Sequence, residues 1–222
     1  MRCVTTMKIK DKKELIKLIS FITMGDGSVY RNRGAGNCLF SFSQTEDHKD
    51  FVDYVGSIIS NITSYKVVVD ERGAPRKSLL KLYTPVHPYF NKLRDRIYVD
   101  SYKSIDPHAL KMLDFEALAI LYMCDGCLGK SMNSNGSVAR TVTLNLCRLS
   151  YGDQLLLKKA LKEKLDLECN VVKTGGKYLT LRLRMKDFDK FMHGIEPYMQ
   201  ESFRYKLEIR TVSPEKSGGE IV

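Results

Sequence analysis

The sequence predicts an α+β fold made of two similar halves, and three observations carry this prediction. The order helix, two strands, helix, two strands occurs twice in the 222 residues. The net charge of +10 is shared, because 18 basic and 12 acidic residues fall within 1–106 and 18 and 14 fall within 107–222. An Asp-Gly pair closes the first helix of each half, at Asp26 and Asp125. We therefore expect two units, 1–106 and 107–222, each able to bury a modest core.

In the first half, apolar residues recur at helical spacing before Gly25, and glycine is favoured where a helix ends. Apolar side chains then alternate with serines, as in a half-exposed strand. A polar loop joins two further strands into a hairpin. The predicted elements are a helix at 12–24, a strand at 38–43, a helix at 47–60 and strands at 65–69 and 79–83.

The second half repeats these signals in the same order. Its last strand places Thr180, Arg182 and Arg184 on one face and leucines on the other. Each sheet should therefore have an apolar side and a basic, hydrogen-bonding side. The predicted elements are a helix at 114–124, a strand at 141–147, a helix at 151–165 and strands at 168–172 and 178–185.

Composition excludes several classes of protein. The 43% hydrophobic and 28% charged residues, with no apolar run of about 18 residues, argue against a disordered or membrane-spanning chain. The six cysteines are scattered, which predicts a reducing, intracellular setting. Cys124 and Cys127 form a Cys-x-x-Cys pair, but no second pair or nearby histidine pair completes a zinc site.

The positive charge favours a polyanionic partner, because lysine and arginine displace counterions from nucleic-acid phosphates. Basic and amide side chains concentrate on the predicted strands and their connections, where a two-stranded ribbon can enter the major groove of DNA. The alternative is an ordinary half-exposed sheet. The candidate nucleic-acid contacts are Arg31, Asn32, Arg33, Asn37, Lys66, Arg72, Arg76, Lys77, Lys81, Arg140, Asn145, Arg148, Lys173, Lys177, Arg182 and Arg184.

The two helix ends carry a family resemblance. Residues 118–126 read LAILYMCDG and resemble the nonapeptide of the LAGLIDADG homing endonucleases, with five of nine letters matching. Residues 19–27 read ISFITMGDG and are a looser copy. The repetition of Asp-Gly at a spacing of 99 residues, 125 less 26, makes the combination specific. The chain resembles the short, single-chain members typified by mitochondrial-intron endonucleases.

The resemblance implies two pseudo-twofold-related αββαββα repeats. The signature helices would pack at the centre, and each repeat would place a four-stranded antiparallel saddle in the major groove. Small residues suit such a close seam, and Ser20, Gly25, Ala117 and Ala119 are available for it. The implied activity is divalent-metal-dependent cleavage of both DNA strands across the minor groove, leaving short 3′ overhangs.

The resemblance assigns metal binding to Asp26 and Asp125, with the backbone carbonyls of Gly25 and Cys124 as further ligands. Two carboxylates brought close together repel each other unless cations neutralise them. Oxygen ligands suit Mg²⁺, and Mn²⁺ is the second candidate. For each aspartate alone, the ordinary alternative is a turn residue at a helix end.

Further catalytic residues follow from the same resemblance. Gln44 matches a glutamine that orients water, although a surface turn residue would fit its position equally well. Its counterpart in the second half is Cys147, or Arg148 with a shift of one residue. Lys103 and Lys206 match lysines that stabilise charge on the phosphate undergoing attack.

The expected protein is a monomeric, site-specific endonuclease with a long, asymmetric double-stranded DNA target. One alternative is an intron RNA-splicing maturase of the same fold, in which the two acids are dispensable. Another is a sequence-specific DNA-binding protein on an inactive nuclease scaffold. Intron RNA is therefore a second possible partner, and no membrane partner is expected.

Overall fold

The structure, a computed structural model, describes residues 8–9, 11–73, 75–132, 134–175 and 178–208. The predicted α+β fold with two αββαββα repeats is confirmed. The first repeat comprises α1 (Lys12–Met24), β1 (Ser28–Tyr30), β2 (Leu39–Thr45), α2 (Lys49–Ile59), β3 (Lys66–Asp70), β4 (Leu79–Tyr83) and α3 (Pro88–Ile97). A connecting segment follows, with the strands β5 (Tyr98–Val99) and β6 (Tyr102–Lys103) and the short helix α4 (Pro107–Leu110).

The second repeat has the same order of elements. A 3₁₀ helix, Glu201–Lys206, follows its last helix. The repeat comprises α5 (Phe115–Asp125), β7 (Gly126–Met132), β8 (Val138–Leu144), α6 (Tyr151–Leu165), β9 (Cys169–Thr174), β10 (Tyr178–Leu183) and α7 (Phe188–Ile195).

Each repeat forms a four-stranded antiparallel sheet. The strand orders are β1-β2-β4-β3 and β7-β8-β10-β9, so the two sheets have the same topology. In the first sheet Phe40 and Phe42 face the core, where Phe42 packs edge-on against Phe51 of α2. The intervening Ser41 and Ser43 lie on the opposite, partly exposed face. The helices therefore cover one face of the first sheet and leave the other partly exposed.

Local signals explain why several helices begin where they do. Asp11 caps α1 by accepting a hydrogen bond from the Lys13 amide at 2.8 Å. Ser150 and Asp153 form a reciprocal capping box at the start of α6. Both helices match their predicted bounds. Of the described residues, no helix has the length and apolar character needed to cross a membrane.

The centre of the molecule is the contact between α1 and α5. Ser20, Ala117 and Ala119 are fully buried. Where the contact reaches the C-terminal ends of the two helices, a Cβ atom built on Gly25 would lie 2.6 Å from Sγ and 2.7 Å from Cβ of Cys124. Only glycine fits this position without moving its neighbour.

The opposite end of α1 is tied to the second half by charge. The buried ammonium of Lys17 contacts Asp114 at 2.5 Å and Glu116 at 3.2 Å, at the start of α5. Ser20 donates to Asp106 at 3.1 Å, and Arg96 also contacts this carboxylate. The connecting segment is thereby fixed to α1.

The structure differs from the predicted elements in the second half. The strand predicted at 141–147 is β8 and ends at Leu144. The Asn145 amide donates to the Asp125 carbonyl at 2.8 Å, one step beyond the last pair, Leu144 with Gly126. Because Asp125 belongs to α5, the pairing goes no further. The helix predicted to end at Cys124 includes Asp125. Thr180, predicted on the exposed face, is buried, and its hydroxyl lies 3.1 Å from that of Thr174.

The close approach at Gly25 makes a stability prediction. Gly25→Ala should lower the free energy of unfolding by about 1–3 kcal/mol, because the added methyl group overpacks against Cys124. Urea denaturation measures this change. Gly36→Ala is the matched control, since its Cβ meets no atom within 4 Å. Equal stability of both variants would contradict the close packing.

Candidate active site between the two helix ends

The ends of α1 and α5 open into one shared cavity of about 160 Å³. Asp26 and Asp125 both line it, so the two sequence-predicted carboxylates are brought together. Because each follows directly from a packed helix, their backbone positions are set by the contact between α1 and α5. The other lining residues are Met24, Gly25, Asn145, Leu146, Cys147 and Arg148.

Asp26 accepts hydrogen bonds from two side chains. Gln44, at the end of β2, donates from Nε2 to Oδ2 of Asp26. The half-buried Cys124 also donates a hydrogen bond from its thiol to this carboxylate. Burial raises the pKa of Asp26, while the Lys103 ammonium and the two hydrogen bonds oppose that rise. The carboxylate is therefore held in a defined orientation within a partly dry site.

The surroundings of Asp125 disfavour its ionised form more than those of Asp26 do. Burial raises the pKa of Asp125 to about 6, and the nearby Asp26 carboxylate adds to the rise. Lys103 and Arg148 oppose it without cancelling it. A raised pKa means that the ionised form is disfavoured, so a cation at the cavity would stabilise the folded protein.

Lys103 is buried beside the end of α1. Its ammonium donates to the carbonyl oxygens of Gly25 at 2.6 Å and Gly27 at 2.7 Å. These contacts satisfy carbonyls that a helix end leaves without partners. Burial lowers the pKa of Lys103 to about 8, Arg148 lowers it further and Asp26 opposes the shift.

Lys206 occupies a similar place at the end of α5. Its ammonium donates to the Met123 carbonyl at 2.9 Å and lies 3.3 Å from that of Tyr122. Burial lowers the pKa of Lys206, and the Asp26 and Asp125 carboxylates oppose the shift. The two sequence-predicted lysines thus lie one at each helix end, although neither lines the cavity itself.

The second half has no glutamine at the position that matches Gln44. Ser28 pairs with Ser41, and Cys127 pairs with Thr143, so Ser41 and Thr143 correspond. Three residues onward, Gln44 corresponds to Leu146, which is buried. Cys147 and Arg148, the candidates from the sequence, follow Leu146 and line the cavity beside Asp125. Their catalytic roles stay predictions.

The donor set of the cavity fits a hard divalent cation. Two carboxylates share it, and oxygen ligands suit Mg²⁺, which completes its shell with water and substrate phosphate. Within the described residues, no group of three or more His, Cys, Asp or Glu side chains could hold a metal. The Gly25 carbonyl already accepts the Lys103 ammonium, and a cation on the same oxygen would be repelled by that charge.

The candidate nucleic-acid contacts divide according to their neighbours. Lys81 and Arg72 contact Asp70 at 2.6 and 3.6 Å, and Lys77 contacts Asp47. These cations stay on the first sheet or its hairpin loop, with part of their charge neutralised. The exposed members for which the structure gives no ion pair among the described residues are Arg31, Arg33, Lys66, Arg76, Arg148, Lys173 and Arg182.

Other candidates lie apart from that set. Arg140 shares a strand face with the buried Val142 and Leu144 and contacts Glu208 at 2.5 Å. Arg184 lies beyond β10 and contacts Glu168 at 2.9 Å. Asn37 accepts from Asn91 of α3 at 2.8 Å. The roles of these residues in nucleic-acid binding stay predictions.

Two further candidates remain. Asn32 is exposed in the loop after β1, whereas Lys177 lies outside the described residues. Asn145, predicted to lie on a strand, lines the cavity. Its place next to a helix-ending aspartate comes from the hydrogen bond between its amide and the Asp125 carbonyl, which has no local sequence signal.

Comparison with known proteins gives a family. A sequence model described as "LAGLIDADG DNA endonuclease family" matches residues 21–191, more than half of the chain. A cytochrome b mRNA maturase, bI2, from Debaryomyces hansenii is 22% identical over 203 residues, which are 88% of this chain and 74% of that protein.

Solved structures share the fold. The homing endonuclease I-WcaI bound to its DNA recognition sequence superposes with a TM-score of 0.72 at 19% identity, over 92% of this chain and 90% of that chain. I-DmoI G20S, in complex with its target DNA in the presence of 2 mM Mg, has a TM-score of 0.51 at 12% identity, over 83% and 96% of the chains. The N-terminal LAGLIDADG domain of DUF199/WhiA has a TM-score of 0.50 at 14% identity, over 86% and 87%.

The raised pKa of Asp125 predicts a dependence of stability on pH. Between the ordinary value of 3.8 and about 6, the folded protein binds more protons at this residue than the unfolded chain. The residue's contribution to stability therefore falls as pH rises through that window. In EDTA, Asp125→Asn should raise the free energy of unfolding by about 1–3 kcal/mol at pH 8 and by clearly less at pH 4.5.

Urea denaturation at both pH values measures the difference. Asp95→Asn, on the exposed side of α3, is the control and should change stability at neither pH. An equal gain for Asp125→Asn at both pH values would show that the Asp125 carboxylate is not destabilised by its surroundings.

Proposed function

This chain belongs to the LAGLIDADG DNA endonuclease family, and from that premise we propose that it is a site-specific homing endonuclease that cuts both strands of DNA. The observation that carries the proposal is the shared cavity, where carboxylates from the two halves meet at helix ends that each bind a lysine. A cut in each strand needs two sets of reactive groups close together, and this cavity supplies them in pairs.

Asp26 and Asp125 would hold the divalent ion, Mg²⁺ or Mn²⁺, together with solvent and the phosphates of the target. When bound, that ion supplies Lewis-acid stabilisation of phosphate charge and favours ionisation of water. The raised pKa values of both aspartates support the assignment, because a bound cation favours the ionised carboxylates that burial disfavours.

The chain's own residues would orient and stabilise the reacting groups. Gln44 is bonded to Asp26, and its carboxamide oxygen can accept from a water molecule in the first half's reaction. Lys103 and Lys206 each place an ammonium beside a helix end, where it can stabilise the negative charge that develops on phosphate oxygens. Arg148 adds a cation to the second half only.

The exposed faces of the two sheets would bind the major groove on either side of the cavity. Such a surface fits a long, asymmetric target, since the two sheets carry different side chains. With both repeats in one chain, a monomer is sufficient to bind both strands. The cleavage would cross the minor groove and leave short 3′ overhangs, as expected for the family. We place the protein in an intracellular compartment, because the five described cysteines are free thiols.

The maturase relative favours a second candidate function, which is binding of intron RNA for splicing. In that case the basic sheets or another surface would bind folded RNA, and Asp26 and Asp125 would not be needed. A third candidate is specific DNA binding without cleavage. The closeness of both carboxylates and both lysines favours the endonuclease, because a binding protein gains nothing from burying two like charges together.

Substitution of both carboxylates tests the endonuclease. Asp26→Asn with Asp125→Asn should lower cleavage of a supercoiled plasmid carrying the target by at least about 100-fold, since each Asn lacks the charge that binds a divalent ion. The target is first selected from a random library in the presence of Mg²⁺. Asp95→Asn should cleave at the rate of the unaltered protein.

The result discriminates among the three candidates. Undiminished cleavage by the double variant would refute the assignment of these acids. An unaltered protein that binds DNA specifically but does not cut it with Mg²⁺ or Mn²⁺ supports the binding protein. Tight binding of intron RNA that persists in the double variant supports the maturase.

The exposed face of the second sheet makes a separate prediction. Arg182 lies on β10, an inner strand, where it pairs with Thr143 of β8 on one side and Asn170 of β9 on the other. Arg182→Ala should weaken binding to the target and, if the guanidinium contacts a phosphate, reduce the slope of log affinity against log salt by about 1. Lys159→Ala on the exposed side of α6 is the control, and it should change neither quantity. Equal effects would place DNA elsewhere.

A further inference from the structure

Lys103 lies on a segment that the opposite half holds in place. The next residue, Ser104, donates from its hydroxyl to Oδ1 of Asp153 at 2.8 Å. The Ile105 amide donates to the same oxygen at 3.1 Å. Asp153 belongs to the first turn of α6, in the second half. Two hydrogen bonds therefore fix the backbone directly after Lys103 to the other repeat.

The segment that carries Lys206 has the reciprocal arrangement. Ser202 donates from its hydroxyl to Oδ1 of Asp50 at 2.5 Å, and its amide donates to Oδ2 at 2.8 Å. Asp50 belongs to the first turn of α2, in the first half. The ring of His48 stacks on Phe203, with 3.9 Å between centroids, and its Nδ1 lies 3.0 Å from the Ser202 hydroxyl.

Each lysine nevertheless acts at the helix end of its own half. Lys103 bonds to the carbonyls of Gly25 and Gly27, whereas Lys206 bonds to that of Met123. The ammonium of each lysine thus binds its own half, whereas the backbone segment that carries the lysine is held by the other half. The lysine precedes its serine by one residue in the first case and follows it by four in the second. The two anchors are alike in geometry but not in sequence.

We propose that Asp153 and Asp50 are positioning residues. Each binds a serine of the opposite half and thereby holds the lysine-bearing segment of that half in place for cleavage of one DNA strand. This inference rests on the proposed endonuclease function. A lysine side chain loses much conformational freedom when it is held in one geometry. Fixing its backbone in advance lowers that cost, and a preorganised donor stabilises developing charge best.

The serines are better targets for substitution than the aspartates. Asp153 also accepts from Ser150 in the capping box, so its loss would weaken α6 itself. Ser104 and Ser202 each supply one hydroxyl to the anchor, and neither lines the cavity of the two carboxylates. Their replacement by alanine removes the side-chain hydrogen bond and leaves the lysines intact.

The test follows each strand of a target duplex that carries a different dye on each 5′ end. With Mg²⁺ and saturating enzyme, Ser104→Ala should cut one strand about 10-fold more slowly and the other at the unaltered rate, with KM unchanged. Ser202→Ala should slow the opposite strand. Ser104→Thr and Ser202→Thr keep the hydroxyl and should restore the rates. Ser64→Ala, at an exposed turn, is the control.

A purely structural role gives a different pattern. If the serines only hold the halves together, each alanine variant would lower the melting temperature and slow both strands equally, which overturns the proposal and leaves the endonuclease in place. The proposal is also overturned if both alanine variants slow the same strand, or if neither variant slows either strand. Absence of cleavage by the unaltered protein overturns the endonuclease and this inference together.

Amide hydrogen exchange gives a second readout that does not depend on cleavage. Exchange of the Ile105 amide should become faster in Ser104→Ala, and exchange of the amide at position 202 should become faster in Ser202→Ala. Exchange in α5 should stay unchanged in both variants. Unchanged exchange at both positions would show that the hydroxyls do not order the segments, and the proposal would fail on that ground.

Discussion

The close contact between the ends of α1 and α5 is the constraint on which the rest of the site depends. Because Gly25 and Cys124 touch with no space for a further carbon atom, Asp26 and Asp125 must open into one cavity. Two helix C-termini also bring their negative dipole ends together there. The ammonium groups of Lys103 and Lys206 partly offset this concentration of negative charge. They bind helix-end carbonyls rather than the carboxylates themselves.

The same contact sets where the sheets begin. β7 starts at Gly126, directly after Asp125, and β1 starts at Ser28, two residues after Asp26. The first strand of each sheet is therefore tied to a carboxylate by a connection too short to adjust. A partner bound on the sheets would meet the cavity in a fixed register, so recognition and cleavage positions would be linked by the backbone and not by a movable domain.

Sequence periodicity predicted α1 and α6 with their observed bounds, since the spacing of their buried apolar residues and their capping residues act locally. It failed at β8, where the apolar alternation continues past Leu144 although the pairing stops. The strands β1 and β7 and the connecting hairpin also lack a local pattern. Family resemblance made Gln44 a candidate, and the structure adds its hydrogen bond to Asp26. The serine–aspartate anchors join residues 49 and 152 positions apart and leave no trace in spacing.

The two halves share an aspartate and a lysine at the helix end and differ in the other residues beside the cavity. Asp26 accepts from Gln44, while the matching position beside Asp125 is the buried Leu146, and Arg148 supplies a cation instead. A symmetric homodimer could not keep such a difference, because every substitution would appear in both subunits. A fused chain can change each half separately. The unequal environments of the two aspartates are thus possible because both repeats are joined in one polypeptide.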